Sequence, residues 1–391
     1  MEDSSPVVVV IGGGPAGLSA AIEAGPGQVR LLERDRSLGG SARYAAGITV
    51  VAGEGIDTLP ERYSERVRPE VIEWTASLGQ PWQPAKNPRD DGLQLVAPVG
   101  GGQSLASVLE AGARRAGVTV QTGAQVDGLT RGERWSVMLA GGEALQADVV
   151  IVATGGFAGQ LEQVRAARPE VGPLLRGVPA SSDGQGLQMV VAAGGAKALP
   201  ASVLLYGHGV PHPEAPDSAL MILAAPGGMW LQADGAPLSA RHARGEGANF
   251  GAGQGGWLVL DRAGLDGLML ADPLSSEPVN AVQVVARSGW GVLSTAELAA
   301  RTGVDVARFA ERGCPCAALP LHATTSKSLS GVVTNAHGQV LDTAGEVIPG
   351  LFAAGEVAGF GGGRHPGIDS TMIAGAILSG RTAGRAARGT R

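Results

Sequence analysis

The chain has 391 residues, of which 44% are hydrophobic and 4% aromatic, with 63 glycines and a formal net charge of −6. That length allows two domains, or one large domain with an insertion, and the apolar content supports a substantial core. The acidic balance without a long basic block argues against nucleic acid or an anionic membrane as the main partner, and no uninterrupted apolar run reaches the roughly 18 residues of a membrane-spanning helix.

Met1 to Pro6 is short and acidic, unlike a secretory leader, so a cytoplasmic location is expected. The stretch Val7 to Arg34, VVVVIGGGPAGLSAAIEAGPGQVRLLER, then sets the frame. A β-branched run ends in three glycines, an Ala-rich helix follows, and a second apolar run closes on an acid. Gly12, Gly14 and Gly17 stand at G-x-G-x-x-G spacing. Gly12 permits the tight turn, Gly14 the approach of a pyrophosphate, and Gly17 close packing of helix on strand, while the helix N-terminus offers N–H groups and a positive dipole end. Glu33, 21 residues after Gly12, is placed to accept hydrogen bonds from a ribose. A lone G-x-G-x-x-G is a weak signal in so glycine-rich a chain. Strand, helix and acid together make this a dinucleotide site.

Beyond Arg34, the small residues Gly39, Gly40, Ser41 and Ala42 let a second backbone segment approach the dinucleotide. Pro60 to Leu78 reads as a helix, Gln80 to Val99 as a loop or short hairpin, Gln103 to Ala116 as a helix, and Val118 to Gln121 as a strand. Val126 to Leu139 predicts a small antiparallel element with Gly141-Gly142 as a turn signal. The run Ala147 to Thr154, ADVVIVAT, predicts a fully buried parallel strand. Asp183 is placed to N-cap a helix over Gln185 to Ala193, a reading at least as strong as that of a ligand.

From Leu199 the character shifts. Prolines, glycines, tryptophans and histidines scatter through Pro200 to Cys316, helical periodicity returns only at Ala296 to Arg312, and the segment reads as an inserted domain or cap. Cys314 and Cys316, in a C-P-C sequence, lack the further ligands of a metal site and read as ordinary loop thiols. Gly331 to Leu351 is β-rich, and Asp369 to Arg388 is a helix rich in Ala and Gly.

The segments VVVVIGGGPAGLSAA, LLERDRSLGGSARYAAG, VVIVATGGFAG, DGQGLQM and IPGLFAAGEVAGF together make the chain resemble the FAD-dependent fumarate reductase / 3-ketosteroid dehydrogenase flavoprotein superfamily. The resemblance implies an α/β fold: a Rossmann-like FAD-binding domain of the glutathione-reductase type, over 1–198 and 325–391, with an inserted α+β cap over 199–324. It implies that Gly12, Gly14, Ala16 and Gly17 hold the FAD pyrophosphate and Glu33 the adenosine ribose, with Arg34 and Asp183 in the same cofactor set. Gly40 and Ser41 would line the phosphate side, Val126 would meet adenine through its backbone, and Ala153, Thr154 and Gly155 would pass the adenosine half. Gly355, Glu356, Ser370 and Thr371 would approach the ribityl chain and the flavin ring. No histidine stands where succinate dehydrogenases attach FAD covalently, so noncovalent FAD is expected.

The family chemistry moves a hydride between flavin N5 and a carbon of a C–C bond activated by a neighbouring carbonyl or carboxylate, with an acid/base group at the adjacent carbon. In GGGRHPGIDSTMIAG, His365 stands where ketosteroid dehydrogenases have a tyrosine, with Arg364 beside it. Arg244, in DGAPLSARHARGE, is the candidate for the reductase proton donor, although the surrounding Arg-Phe and Glu are lost. The resemblance thus implies a dehydrogenase or ene-reductase acting on a small or mid-sized organic molecule. A flavin-dependent amine or alcohol oxidase and a flavin-binding protein without turnover are the competing readings. Only one dinucleotide fingerprint is present, so an external electron donor or acceptor is expected.

Overall fold

The structure, a computed structural model, describes residues 7–44, 48–50, 68–84, 94–238, 255–272, 275, 279–292, 294–303, 316–364 and 372–390. The chain forms two contact units, Met1–Phe157 with Ser182–Ser202 and Ser328–Arg391, and Ala158–Ser181 with Val203–Lys327.

In the first unit, strand β1 (Val8–Ile11) runs straight into α1 (Pro15–Ala24), and β2 (Val29–Glu33) follows. Pro15 sits at the first helical position, where a missing N–H costs nothing and its fixed φ suits the helix. With β6 (Thr119–Thr122), β10 (Val149–Val152), β18 (Gln339–Leu341) and β19 (Val347–Ala353) these strands form a six-stranded sheet in the order β18-β19-β10-β1-β2-β6. All its pairings are parallel except β18 with β19. Every residue of β1 and β10 is buried, which explains their unbroken Val/Ile runs: a central parallel strand is covered on both faces.

Helix α3 (Gly101–Arg115) packs on α1, and α9 (Met372–Arg388) lies against α1 with almost no side chain between them. A Cβ on Gly380 would sit 2.2 Å from the Ala16 carbonyl oxygen, and one on Gly384 2.3 Å from that of Ala20. The contact is cemented at its edge by Arg381 and Arg385, which both pair with Glu23. Arg381 also stacks 4.6 Å from the Trp74 ring. Burial works against the Glu23 carboxylate, but hydrogen bonds from Arg385 and Arg381 outweigh it and hold its pKa below the ordinary value.

Two small sheets complete the unit. Strands β7 (Val126–Arg131), β8 (Trp135–Leu139) and β9 (Ala144–Ala147) form the expected antiparallel element, turning at Gly142 with φ +83°. Strands β3 (Ile48–Val50), β4 (Trp82–Pro84) and β5 (Gln94–Pro98) pair antiparallel around the proline-rich segment. Of the helix expected over 60–78, the described part is a π-type turn at Arg68–Glu73 leading into α2 (Trp74–Ser77).

The second unit is built on a seven-stranded sheet. Its strands are β11 (Leu174–Arg176), β12 (Val203–His212), β13 (Ala215–Ala224), β14 (Met229–Gln232), β15 (Gly256–Leu260), β16 (Met269–Ala271) and β17 (Ala317–Ser328). The order is β11-β13-β12-β17-β15-β14, with β16 on β13. Helix α4 (Leu161–Ala167) precedes β11. A core of Val210, Leu220, Ile222, Leu258, Leu319 and Leu321 seals one face of the sheet against α6 (Arg262–Asp266) and α7 (Ala281–Arg287); α8 (Thr295–Thr302) follows. Two differences from the sequence reading stand out. Helices at 262–266 and 281–287 precede the first one expected, at 296. Residues 158–181, assigned by sequence to the first unit, group with the second because β11 pairs in parallel with both β13 and β17.

Candidate active site

The turn from β1 to α1 is a cradle in which three glycines do different work. At Gly12, φ is +105° and a Cβ would lie 2.5 Å from the Ala153 oxygen, so β1 and the end of β10 close on each other only because no side chain intervenes. At Gly17 a Cβ would stand 1.8 Å from the Gly12 oxygen, which holds the first turn of α1 tight on the strand end. Around Gly14, by contrast, a Cβ would find nothing within 4 Å. That open side belongs to the N-cap residue of α1, where the helix leaves its first N–H groups without intrahelical partners. Gly40 closes over the cradle, with a Cβ position 3.3 Å from the Gly14 Cα, and Ser41 follows half-buried in the same short helical turn.

Glu33 ends β2 almost buried, 9% exposed. Its Oε2 accepts the Gly13 N–H at 2.6 Å and its Oε1 the Asp35 N–H at 2.8 Å. The backbone therefore fixes the carboxylate and leaves acceptor capacity on each oxygen. From here a narrow groove runs past Gly12, Arg34, Val126, Thr154, Asp183 and Met189, among others. Thr154 Oγ1 is buried there without a hydrogen-bond partner. It faces Gly186, whose missing Cβ would lie 1.8 Å away. Gln125, Gln185, Gly186 and Met189, which sequence reasoning did not single out, also line the groove; the G-Q-G spacing after Asp183 was the available signal.

Helix α5 (Gln185–Ala192) begins beside this groove, and its cap differs from the expectation. Gly184 is the N-cap, left-handed at φ +74°, and Asp183 stands one residue earlier. The Asp183 Oδ1 accepts the Gln185 N–H at 3.0 Å, while its Oδ2 meets Arg34 at 2.6 Å.

The C-terminal block returns to the same cradle. Gly355, at φ +74°, has room for a Cβ only 2.7 Å from that of Ala16, and its N–H donates to Ser379 Oγ. Glu356 accepts both the N–H and the hydroxyl of Ser328, at 2.8 and 3.0 Å. Ser328 Oγ in turn accepts the Phe157 N–H. Arg364 is exposed and donates to the Leu199 carbonyl oxygen. His365, Ser370, Thr371 and Arg244 lie outside the described residues.

In the second unit, sequence reasoning missed a polar pair on β12. His208, 8% exposed, has its ring 4.9 Å from that of Tyr206. On β17, burial holds the His322 imidazole below its ordinary pKa and so neutral at pH 7, with Nδ1 lacking a hydrogen-bond partner. Among the described residues no cluster of three or more His, Cys, Asp or Glu is placed to hold a metal ion. No described helix is long and apolar enough to cross a membrane.

A strand, a glycine turn with one open side, a helix N-terminus and an acid at the next strand end define a dinucleotide-binding α/β protein. The open Gly14, the unpartnered Thr154 hydroxyl and the residual acceptor capacity of Glu33 fit a bound FAD. The chain belongs to the family of FAD binding domains, whose model matches residues 7–71 and 69–368. A KsdD-like steroid dehydrogenase of Mycobacterium tuberculosis is 47% identical over 76 residues, 19% of this chain and 13% of that protein. One of Mycolicibacterium smegmatis is 46% identical over 56 residues, 14% of this chain and 10% of that one. Among solved structures, a 3-ketosteroid delta1-dehydrogenase from Sterolibacterium denitrificans gives a TM-score of 0.73 at 15% identity, covering 99% of this chain and 100% of that one. A flavocytochrome c3 fumarate reductase gives 0.71 at 20% identity, covering 99% and 79%. These structural likenesses establish the fold.

Proposed function

We propose that the chain is an FAD-dependent oxidoreductase, a dehydrogenase or ene-reductase, acting on a C–C bond next to a carbonyl in a small or mid-sized organic molecule. The observation that carries the reading is the cradle at Gly12, Gly14 and Gly17 with its groove past Glu33 and Thr154. Bound noncovalently there, FAD supplies a hydride acceptor or donor at N5 of its ring. The chain's part is to bind and orient. The α1 N-terminus and Gly14 take the pyrophosphate, Glu33 the ribose hydroxyls, and the groove at Val126 and Thr154 the adenosine. Ser370, Thr371 and the start of α9 are assigned to the flavin end.

For the substrate, His365, Arg364 and Arg244 are the residues assigned by the sequence. Arg364 is the weakest of the three, since its guanidinium is engaged by the Leu199 carbonyl. The steroid dehydrogenases among the relatives make a ring ketone the first substrate to try. With one dinucleotide fingerprint in the sequence, electrons are assigned to an external donor or acceptor, and the reaction to the cytoplasm.

The test is anaerobic. Purified holoprotein is mixed with saturated and unsaturated ketosteroids, small enones and carboxylates, amines and alcohols, and the flavin absorption is followed. Bleaching by a saturated ketone, or recovery of dithionite-reduced flavin by an enone, is expected. Bleaching by amines or alcohols alone would sink the proposal.

A further inference from the structure

We infer that the second unit carries a pocket of its own, at the tip of the β12–β13 hairpin, that binds a neutral polyhydroxylated molecule of the sugar or polyol type. The inference does not rest on the flavin reaction proposed above.

His212, Asp272, Asn280 and Gln283 line this pocket, and Leu220 and Val284 supply apolar surface. All six belong to the second unit. The strand pairing re-aims His212. Pro211 stands opposite Ala219, but the next residue, His212, stands opposite Ala215. A shift of this kind turns a side chain out of the regular alternation. Pro211, Pro213 and Pro216 stiffen the hairpin on both sides, so the site is set before anything binds.

A backbone contact then fixes the chemistry of the ring. The Glu214 N–H donates to His212 Nδ1 at 3.0 Å. A nitrogen that accepts carries no proton, so the neutral ring has its proton on Nε2 and presents a donor there. That donor stands 3.6 Å from Asp272 Oδ2, beyond direct hydrogen-bond range. An oxygen placed about 2.8 Å from each atom would accept from Nε2 and donate to the carboxylate. One functional group does both, and it is a hydroxyl. An ammonium has no lone pair to offer Nε2–H. A carboxylate has no proton for Asp272 and would meet its charge. A metal ion would need the Nε2 lone pair, which this tautomer does not have.

The wall formed by α7 offers groups of the same kind. Asn280 caps the helix through Oδ1, which accepts the Gln283 N–H at 3.0 Å, and so keeps its Nδ2 as a donor. The exposed Gln283 amide both donates and accepts. At the rim Arg287 pairs with Glu214 at 3.2 Å, so these two charges offset each other and give an ion little purchase. Neutral donors and acceptors over aliphatic carbon match the mixed hydroxyl and C–H surface of a sugar.

The experiment titrates the holoprotein with glucose, inositol and a vicinal cyclohexanediol, followed by saturation-transfer NMR. The matching cyclohexane diamine and dicarboxylate serve as ionic counterparts. Glucose or inositol is expected to bind saturably with a Kd of about 1 mM. Both ionic counterparts should bind at least about tenfold more weakly than the diol. Asp272→Ala should weaken sugar binding about tenfold and Gln283→Ala about threefold, with the flavin spectrum unchanged. Gln283 is exposed on α7, so its variant reports on the site even where Asp272→Ala lowers stability. No saturation by any hydroxylated probe at about 50 mM would mean a pocket that holds water only, and would overturn the inference. Equal or tighter binding of the diamine or dicarboxylate would overturn it too, as would wild-type affinity in both variants.

Discussion

Alanine at Gly14 and at Gly17 should have opposite consequences, although the two positions are three residues apart in one motif. At Gly17 the new Cβ would be 1.8 Å from the Gly12 oxygen, where ordinary contact begins near 3.4 Å. Strand end and helix would have to part by more than an ångström, an overpacking cost of about 3 kcal/mol. The helix-propensity gain of alanine over glycine offsets about 1 kcal/mol, leaving a net loss of about 2 kcal/mol and a Tm lower by about 5 °C. At Gly14 the backbone is at φ −75° and ψ −179°, open to any residue, and the Cβ meets no protein atom. Loss of the glycine N-cap and gain in chain stiffness are each about 0.5 kcal/mol and oppose one another, so stability should hardly move. The methyl instead occupies the side from which a pyrophosphate approaches, and FAD affinity should fall at least about tenfold, or about 1.4 kcal/mol. Thermal melts without FAD, paired with fluorescence titrations, separate the two effects. A Gly14→Ala protein binding FAD like the wild type would refute the reading of this cradle, as would a Gly17→Ala protein melting like the wild type.

Three further changes test the packing. Gly380→Ala, in a helix interior where alanine normally stabilises by about 1 kcal/mol, should destabilise by about 2 kcal/mol because its Cβ would lie 2.2 Å from the Ala16 oxygen; urea unfolding gives the sign. Glu23→Gln removes the negative charge facing the nearly buried Arg381 and should cost about 2 kcal/mol at pH 7. Because the folded Glu23 pKa is depressed below 4.5, the wild type holds this stabilisation above the unfolded pKa and sheds it as pH falls through the folded one. A pH series of urea unfolding should show that loss in the wild type and not in Glu23→Gln. His322, buried and neutral, acts in a different window: stability should decline as pH drops below 6.5, where the unfolded chain takes up the proton first, and His322→Gln should flatten that slope.

The first unit was legible in the sequence because its physics is local. A strand covered on both faces must be apolar throughout, as VVVI and VVIV are, and the glycine spacing of the cradle follows from contacts within a few residues. The second unit hid its sheet. Strand β17 carries Thr324, Thr325, Ser326 and Ser328, all buried, so its composition imitates a loop. Strand β12 includes Gly207, Gly209 and Pro211, and Gly209 is there because Thr324 Oγ1 would be 1.9 Å from its Cβ, a long-range reason that no local pattern carries. At the groove the motif pointed to Glu33 and Thr154, yet it could not show that Arg34 and Asp183 hold each other, since the partner of each is 149 residues away. The N-cap was misplaced by one residue for a similar reason: Asp183 does serve the α5 backbone, but from the position before the left-handed Gly184.

The chain passes from one unit to the other four times, and on the side of the first unit these points are tied in pairs. Gly184 donates to the Gly156 oxygen at 3.0 Å, and Leu329 to that of Ser202 at 2.8 Å. Each segment of the second unit therefore departs and comes back through a gap no wider than a hydrogen-bonded turn. Two short glycine splices, one from Phe157 to Ser182 and one from Ser202 to Ser328, would rejoin the sheet without stretching it. What remained would be the parallel sheet with its glycine cradle, so the second unit can be removed or exchanged by grafting at fixed seams.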